Sequence, residues 1–351
     1  MRFLRPPERI TGGWVVMTLL KIVVALFVLV GSWLTISNGY YSYSNWQAFF
    51  VNGLALGAVY ALIALGYTLV YGILFMINFA HGEVFMSGAF TAFFTATWMA
   101  DLGMIEANPW LALFITLLTA MLTSMSVAII LERVAYRPLR GAPRLVPLIT
   151  AIGASLFLQY TFRGLYGAGV RAYPNFGLFE GSITLGFFTI PTNRAVVIVA
   201  ALFLMLALYV FVEKTRTGRS MRAVSEDKDV AAMMGINVDR VIVTTFAIGG
   251  LLAGAAGILY VQIFNQVHYF MGFLPGIKAF TSAVLGGIGN IVGAMLGGFS
   301  LGILESVGPQ LLLRGFEIPS PNQLKDVIAF TVLVLVLIFR PTGFLGRKEN
   351  V

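Results

Sequence analysis

Asn78, His81 and Glu83 put an amide, an imidazole and a carboxyl where polar groups are expensive to keep. They fall in MINFAHGEVFMSG, Met76–Gly88, with apolar stretches on both sides. Polar and ionisable groups at membrane depth are usually functional, because hydrocarbon offers them no hydration. The chemistry on offer is recognition. His81 and Glu83 stand two residues apart and point to different faces of a helix, so they make a poor acid–base pair. A competing reading puts all three at the cytoplasmic interface, where they would only be solvated. A second set is Thr281, Ser282 and Asn290, around Gly286-Gly287-Ile288-Gly289-Asn290. Its hydroxyls and amide can bind a zwitterion or hydrogen-bond their own helix. Lys278, just before it, suits an interfacial role as well as a ligand role. Gln262, Asn265, Gln266 and His268 read as a wet helix terminus or an outer gate. There is no Ser-His-Asp arrangement, no HExxH and no GxxxxGK[ST] phosphate loop. Hydrolase chemistry is therefore not expected, and any ATP-driven work must come from another subunit.

The elements that must position these residues are membrane spans. Of the 351 residues, 58% are apolar and 11% charged, and the apolar runs approach the ~20 residues that cross a bilayer as helix. The expected fold is all-α and polytopic, with about eight transmembrane helices and a Gly-rich re-entrant or broken helical hairpin in the C-terminal half. Spans are expected over Trp14–Ile36, Trp46–Leu65, Trp110–Leu131, Leu145–Tyr166, Ala195–Val212, Val241–Phe264 and Val327–Phe339. The segment Gly66–Ala100 is too interrupted for one regular span. The alternation in Ser182–Ile190 predicts a small β-hairpin. MRFLRPPERITGG reads as the start of an uncleaved first span. With no cysteine and two histidines, neither a Cys-based nor a His-rich metal site is expected, nor any cofactor. The net charge of +8 is that of cytoplasmic loops, which collect Lys and Arg, and is not read as a nucleic-acid footprint.

Lys and Arg concentrate in the N-terminus, in Glu132–Arg144 with four arginines against one glutamate, in Glu213–Arg240 and in the C-terminus. The positive-inside rule places all of these in the cytoplasm. The segment Ile277–Leu304 must then begin and end on one face, so it either dips in and returns or makes two tilted crossings. Irregular backbone at depth is tolerated only where protein or a watery cavity covers it. Two interrupted segments, one in each half of the chain, point to a substrate pathway between pseudo-repeats. Glu213–Arg240 is the longest charged island, and at about 2.5–3.5 kcal/mol per charge it cannot lie in hydrocarbon. Its stretch Ser225–Met234 lacks Gly and Pro and predicts a short helix, stopped by Gly235 and Asn237, of a shape that docks into a cleft on a soluble partner.

Five runs, in order, carry a resemblance. They are Asn78-Phe79-Ala80-His81-Gly82-Glu83; Tyr136-Arg137-Pro138-Leu139-Arg140 leading into Leu148–Gly153; Thr217-Gly218-Arg219; Ala283–Asn290; and Phe339-Arg340-Pro341-Thr342-Gly343. Together they resemble the permeases of branched-chain amino acid ABC importers, and in particular the first of that system's two related permease subunits. The resemblance covers roughly Trp46–Gly346. It implies a transmembrane domain over 46–346 that contains a coupling loop at 213–240, preceded by a first span within 1–45 and followed by a tail at 347–351. It also implies a homologous second permease, two cytoplasmic ATPase subunits and an extracytoplasmic substrate-binding protein, in a bacterial inner membrane. Asp229–Gly235 is similar to the Glu-Ala-Ala and Gly pattern of ABC permeases, with Asp displaced from the Glu position. Arg219, Arg222, Glu226, Asp229, Ala231, Ala232 and Gly235 are the coupling residues expected on this basis. Urea and short-amide permeases share these motifs. An ion-driven secondary transporter is the rival from another class, but its spans would need embedded carboxylates. A structural anchor would need no Gly-broken segments in both halves.

The topology is testable because the chain is free of cysteine. Cysteines placed at Arg140 and Ser225 are expected to resist impermeant thiol reagents in intact cells, and one at Glu180 to react. Outside labelling at Arg140 or Ser225 would reverse the orientation.

Overall fold

The computed structural model describes residues 12–346 apart from Arg144, Phe187 and Pro341. The basic N-terminal stretch and the tail 347–351 lie outside the described residues. Each long apolar run becomes helix, the form that satisfies its own backbone without water. The helices are α1 (Gly12–Ser37), α2 (Tyr43–Leu74), α3 (His81–Asp101), α4 (Met104–Ala107), α5 (Pro109–Leu131), α6 (Leu145–Tyr166), α7 (Thr192–Lys214), α8 (Arg216–Glu226), α9 (Lys228–Met233), α10 (Val238–Phe264), α11 (Phe273–Gly286), α12 (Ile291–Leu312) and α13 (Lys325–Phe339). Among the described residues, 8 helices are long and apolar enough to cross a membrane. The expected all-α polytopic architecture is what the chain adopts.

The bundle is centred on α2, which packs most extensively against α12 and α10, while α10 packs on α5 and α3. Gly57 and Gly302 let α2 and α12 touch backbone to backbone, for a Cβ on Gly302 would fall on the Gly57 main chain. Such close approach is how helices associate where lipid removes the hydrophobic drive between them. Helices α1 and α13 pack mainly at the periphery, and Phe27 of α1 stacks on Phe316 at 5.2 Å between ring centres.

Two differences from the sequence reading concern α2 and the charged island. Helix α2 runs on through Gly66 to Leu74, beyond the expected end at Leu65. Gly66 does not break it, because there the missing side chain makes room for the His81 ring. In the island, the single helix expected over Ser225–Met234 is two helices, α8 and α9, divided at Asp227. The Asp227 carboxylate accepts from the N–H groups of Asp229 and Val230, an N-cap that starts a new helix. Gly235, at φ +84°, stops α9 as expected, whereas Asn237 caps the start of α10 by accepting from Arg240 N.

The C-terminal helical hairpin is present, with arms α11 and α12 and a turn over Gly287–Asn290. Gly287, at φ +103°, sits against the backbone of Leu345 and Gly346, and Phe344 N and Leu345 N donate to Leu285 O and Gly286 O. The turn therefore lies at the same end of the bundle as the segment after α13. That end, shared with 132–140, α8 and α9, is the basic end of the bundle. At the opposite end β2 (Ser182–Leu185) and β3 (Phe188–Pro191) form the expected hairpin. There too β1 (Arg171–Ala172) pairs with β4 (Gln266–Val267), a link with no local sequence signal.

Replacing Gly302 by Leu should force α2 and α12 apart, at a cost of about 1–3 kcal/mol or more. Gly153 on α6 meets nothing within 4 Å, so Gly153→Leu should leave stability unchanged. Thermal unfolding of both variants in detergent checks the contrast.

Candidate functional site

The α2–α3 break places Asn78, His81 and Glu83 in the interior, at 2%, 2% and 1% exposure. His81 packs against Gly66 and Gly249. Those glycines are eight and eleven residues from the basic-end termini of α2 and α10, or roughly 12 and 17 Å at 1.5 Å per residue. All three side chains are enclosed by protein.

Each has a different neighbour. Asn78 Oδ1 accepts from Ala80 N at 3.1 Å and from Tyr136 Oη at 2.5 Å. The His81 ring meets Tyr67 edge-on at 5.0 Å, and its Nε2 has no hydrogen-bond partner. Glu83 Oε1 accepts from Gln159 Nε2 at 2.7 Å and Ser155 Oγ at 3.3 Å, both on α6, and its Oε2 is unpartnered. Glu83 also lines an otherwise largely apolar cavity of about 260 Å³ with Tyr67, Phe79, Leu156, Phe273 and Ile277. The faces of His81 and Glu83 diverge, as their spacing requires. A second broken element meets the first here: a Cβ on Gly82 would strike Gly272 and Gly276 at the start of α11. The N-termini of α3 and α11 thus converge beside Glu83, an acid in the first turn of α3, where the helix dipole favours it.

The remaining expected pathway residues lie elsewhere on α11 and its turn. Thr281 and Ser282 are buried and bond back to Ile277 O and Lys278 O, each at 2.9 Å. Asn290 caps α12 through Gly293 N at 2.9 Å and donates to Leu345 O at 3.1 Å. Lys278 reaches inward instead, to Glu305 at 2.7 Å and Asp326 at 2.6 Å.

At the basic end, the chain after α5 forms a π-turn over Glu132–Tyr136. Arg140 bridges the fully buried Glu132 and Asp239 at the start of α10, and Arg137 pairs with Asp239 at 2.6 Å. On the charged island, Arg219 is exposed, while Arg222 folds back to Val212 O at 2.9 Å and Glu213 Oε2 at 2.6 Å. Ala231 is buried, whereas Ala232, Gly235, Glu226 and Asp229 are exposed. Val230, Met233 and Met234 present apolar surface beside them. Sequence reasoning missed Ser155 and Gln159, whose i, i+4 spacing in an apolar span was the available signal, as well as Tyr136, Glu132 and Asp239.

The family model for the permease component of branched-chain amino acid transport systems matches residues 49–337. The chain belongs to this family. It is 44% identical over 303 residues to the Escherichia coli high-affinity branched-chain amino acid permease LivH, covering 85% of this chain and 94% of that one. It is also 44% identical over 302 residues to Pseudomonas aeruginosa BraD, covering 85% and 95%. A probable LivH from Methanocaldococcus jannaschii is 28% identical over 295 residues, covering 81% and 88%. The matched region leaves out α1. The chain is thus a multi-pass permease subunit, a transport component.

Tyr136→Phe should cost about 0.5–1.5 kcal/mol, the worth of one hydrogen bond. Asn78→Leu should cost more, because Ala80 N and Tyr136 Oη are then both left buried without an acceptor. Unfolding midpoints of the two purified variants give the ranking.

Proposed function

We propose that this chain is a membrane-spanning permease subunit of an ATP-driven importer of branched-chain amino acids in a bacterial inner membrane. It works with a homologous second permease, two cytoplasmic ATPase subunits and an extracytoplasmic substrate-binding protein. The observation that carries the reading is 44% identity spread over 303 residues, combined with family motifs that meet one another in the fold. The Asn78–Glu83 run bonds to the Tyr136–Arg140 run through Tyr136, and Ala283–Asn290 packs on the segment after Phe339. The basic end faces the cytoplasm, since Arg137, Arg140, α8 and α9 all gather there.

Helices α8 and α9 couple the permease to the ATPase. Arg222 fixes α8 to the end of α7, so a push on the island is delivered to a span and not lost in a loose loop. Ala232 and Gly235 leave room for close seating, Val230, Met233 and Met234 supply an apolar contact, and Arg219, Glu226 and Asp229 lie at its rim. Ala231, on the inner side of α9, anchors it. Lys228, the first residue of α9, stands over the Phe75 ring at 5.9 Å, at the start of the α2–α3 break. Burial, and then the like charge of Arg140, lowers its pKa, with Asp229 acting in the opposite sense. Movement of α9 therefore reaches Phe75, at the start of the break, through Lys228. Asn78, His81 and Glu83 line the pathway at mid-depth, with Thr281 and Ser282 on the adjoining half-helix and Asn290 at its cytoplasmic turn.

Ala232→Glu should block seating, since a charge pressed into a packed contact loses hydration without gaining a partner. The tagged variant is expected to lose most of its co-purifying ATPase and its solute-stimulated hydrolysis. Full co-purification with normal coupled transport would demote α9 to a solvated loop.

A further inference from the structure

A second cavity, of about 320 Å³, opens between α2, α7, α10, α12 and α13. Its position follows from its walls. Phe49 is in the second turn of α2, Arg194 in the first turn of α7, Phe264 at the last residue of α10, and Lys325 at the first of α13. All these helix ends lie opposite the basic end. The cavity is at the lower limit of the ~300–1,000 Å³ typical of small-molecule sites.

Its lining is chemically divided. Phe49, Leu56, Ile263 and Phe264 form an apolar wall, and Arg194, Lys325 and Glu305 supply charges of both signs. Glu305 is 2% exposed. Its Oε1 is engaged by Lys278 at 2.7 Å and, more distantly, by Lys325 at 3.9 Å, while its Oε2 has no hydrogen-bond partner. Arg194 Nη1 is also buried without a partner. Glu305 thus keeps one oxygen and Arg194 one nitrogen buried and unpartnered, both residues line this cavity, and such atoms are costly unless something completes them. One ligand class satisfies both at once: a zwitterion with a carboxylate for Arg194 and an ammonium for Glu305. The apolar wall then takes an aliphatic side chain.

We infer that this cavity is a binding site for a free aliphatic α-amino acid, with Arg194 and Lys325 holding its carboxylate and Glu305 its ammonium. The inference rests on the proposed function and deepens it by locating where the permease receives its solute. Helix α11 joins this site to the mid-depth one. Ile277 lines the cavity at Glu83, and the next residue, Lys278, pairs with Glu305 in the wall of the outer cavity. An ammonium arriving at Glu305 competes with Lys278 for the carboxylate. Loading is thereby felt on the half-helix that borders the inner cavity.

The test uses the complete importer reconstituted in proteoliposomes with its binding protein, measuring leucine delivered and ATP hydrolysed. A wild-type complex that moves no branched-chain amino acid overturns the reading of function itself, whatever the variants do. Given an active wild type, Arg194→Gln should reduce leucine delivered per ATP by about 10-fold or more, the effect of losing a charged hydrogen bond. Hydrolysis stimulated by the binding protein should persist, and Arg194→Lys should restore part of the delivery. Asn52→Trp, which fills the cavity without removing a charge, should have the same effect as Arg194→Gln. Unchanged delivery per ATP in Asn52→Trp overturns the site, even if Arg194→Gln fails to assemble. So does an equal fall in transport and hydrolysis in Arg194→Gln, which is the mark of a purely structural arginine.

Discussion

Backbone-to-backbone contact between α2 and α12 is the constraint on which the rest of this structure depends. In lipid, apolar side chains gain nothing by leaving one another's company for hydrocarbon, so helices must be held by close packing and by polar contacts. Gly57 against Gly302 and Gly298 against Ala61 bring the two axes together along much of their length. On the other side of the core, Gly250 and Gly254 of α10 do the same against α5. With α2 clamped in this way, its end at Leu74 is fixed in space. The chain must then turn back into the protein to begin α3, which is what puts Asn78, His81 and Glu83 at depth.

Polar groups buried by this arrangement are the second determinant. Some are satisfied locally, as the Thr281 and Ser282 hydroxyls are by their own helix. Others are met across the fold, Asn78 by Tyr136 and Glu83 by Gln159, or across a turn, Glu132 by Arg140. Removing one member of such a pair leaves the other stranded, which is why these contacts weigh more than their number suggests. His81 Nε2, Glu83 Oε2, Glu305 Oε2 and Arg194 Nη1 are among the buried atoms with no hydrogen-bond partner. They adjoin the two cavities and the broken helices, where a transporter has most use for uncommitted polarity.

The basic end combines stiffness with exposure. Arg222 on the carbonyls of α7, and Arg140 between Glu132 and Asp239, tie the connecting segments to the spans they join. The Met233 and Met234 side chains, at 79% and 78%, are the most exposed large apolar side chains among the described residues. Rigidity behind an exposed apolar contact is what transmission of force requires, and it gives the proposed coupling a mechanical basis.

The class of the protein is legible in the chain, because apolar run length, scarce charge and the solvation cost of Lys and Arg are properties that no packing can change. The chain also marks the interruption at Asn78–Glu83, the Gly-rich hairpin and the charged island, since Gly, Asn and charge have local consequences. The extent of α2 was not legible: Gly66 is a break or a socket depending on whether His81 comes to fill it. Nor was the division of the island at Asp227, where an acid serves equally as a solvated side chain or a cap. Which motif meets which, and that Arg194, Glu305 and Lys325 share one cavity, follow from packing alone. Arg194 lies more than a hundred residues before the other two, and nothing local in a helix specifies its neighbour; that choice belongs to the shape of the whole bundle.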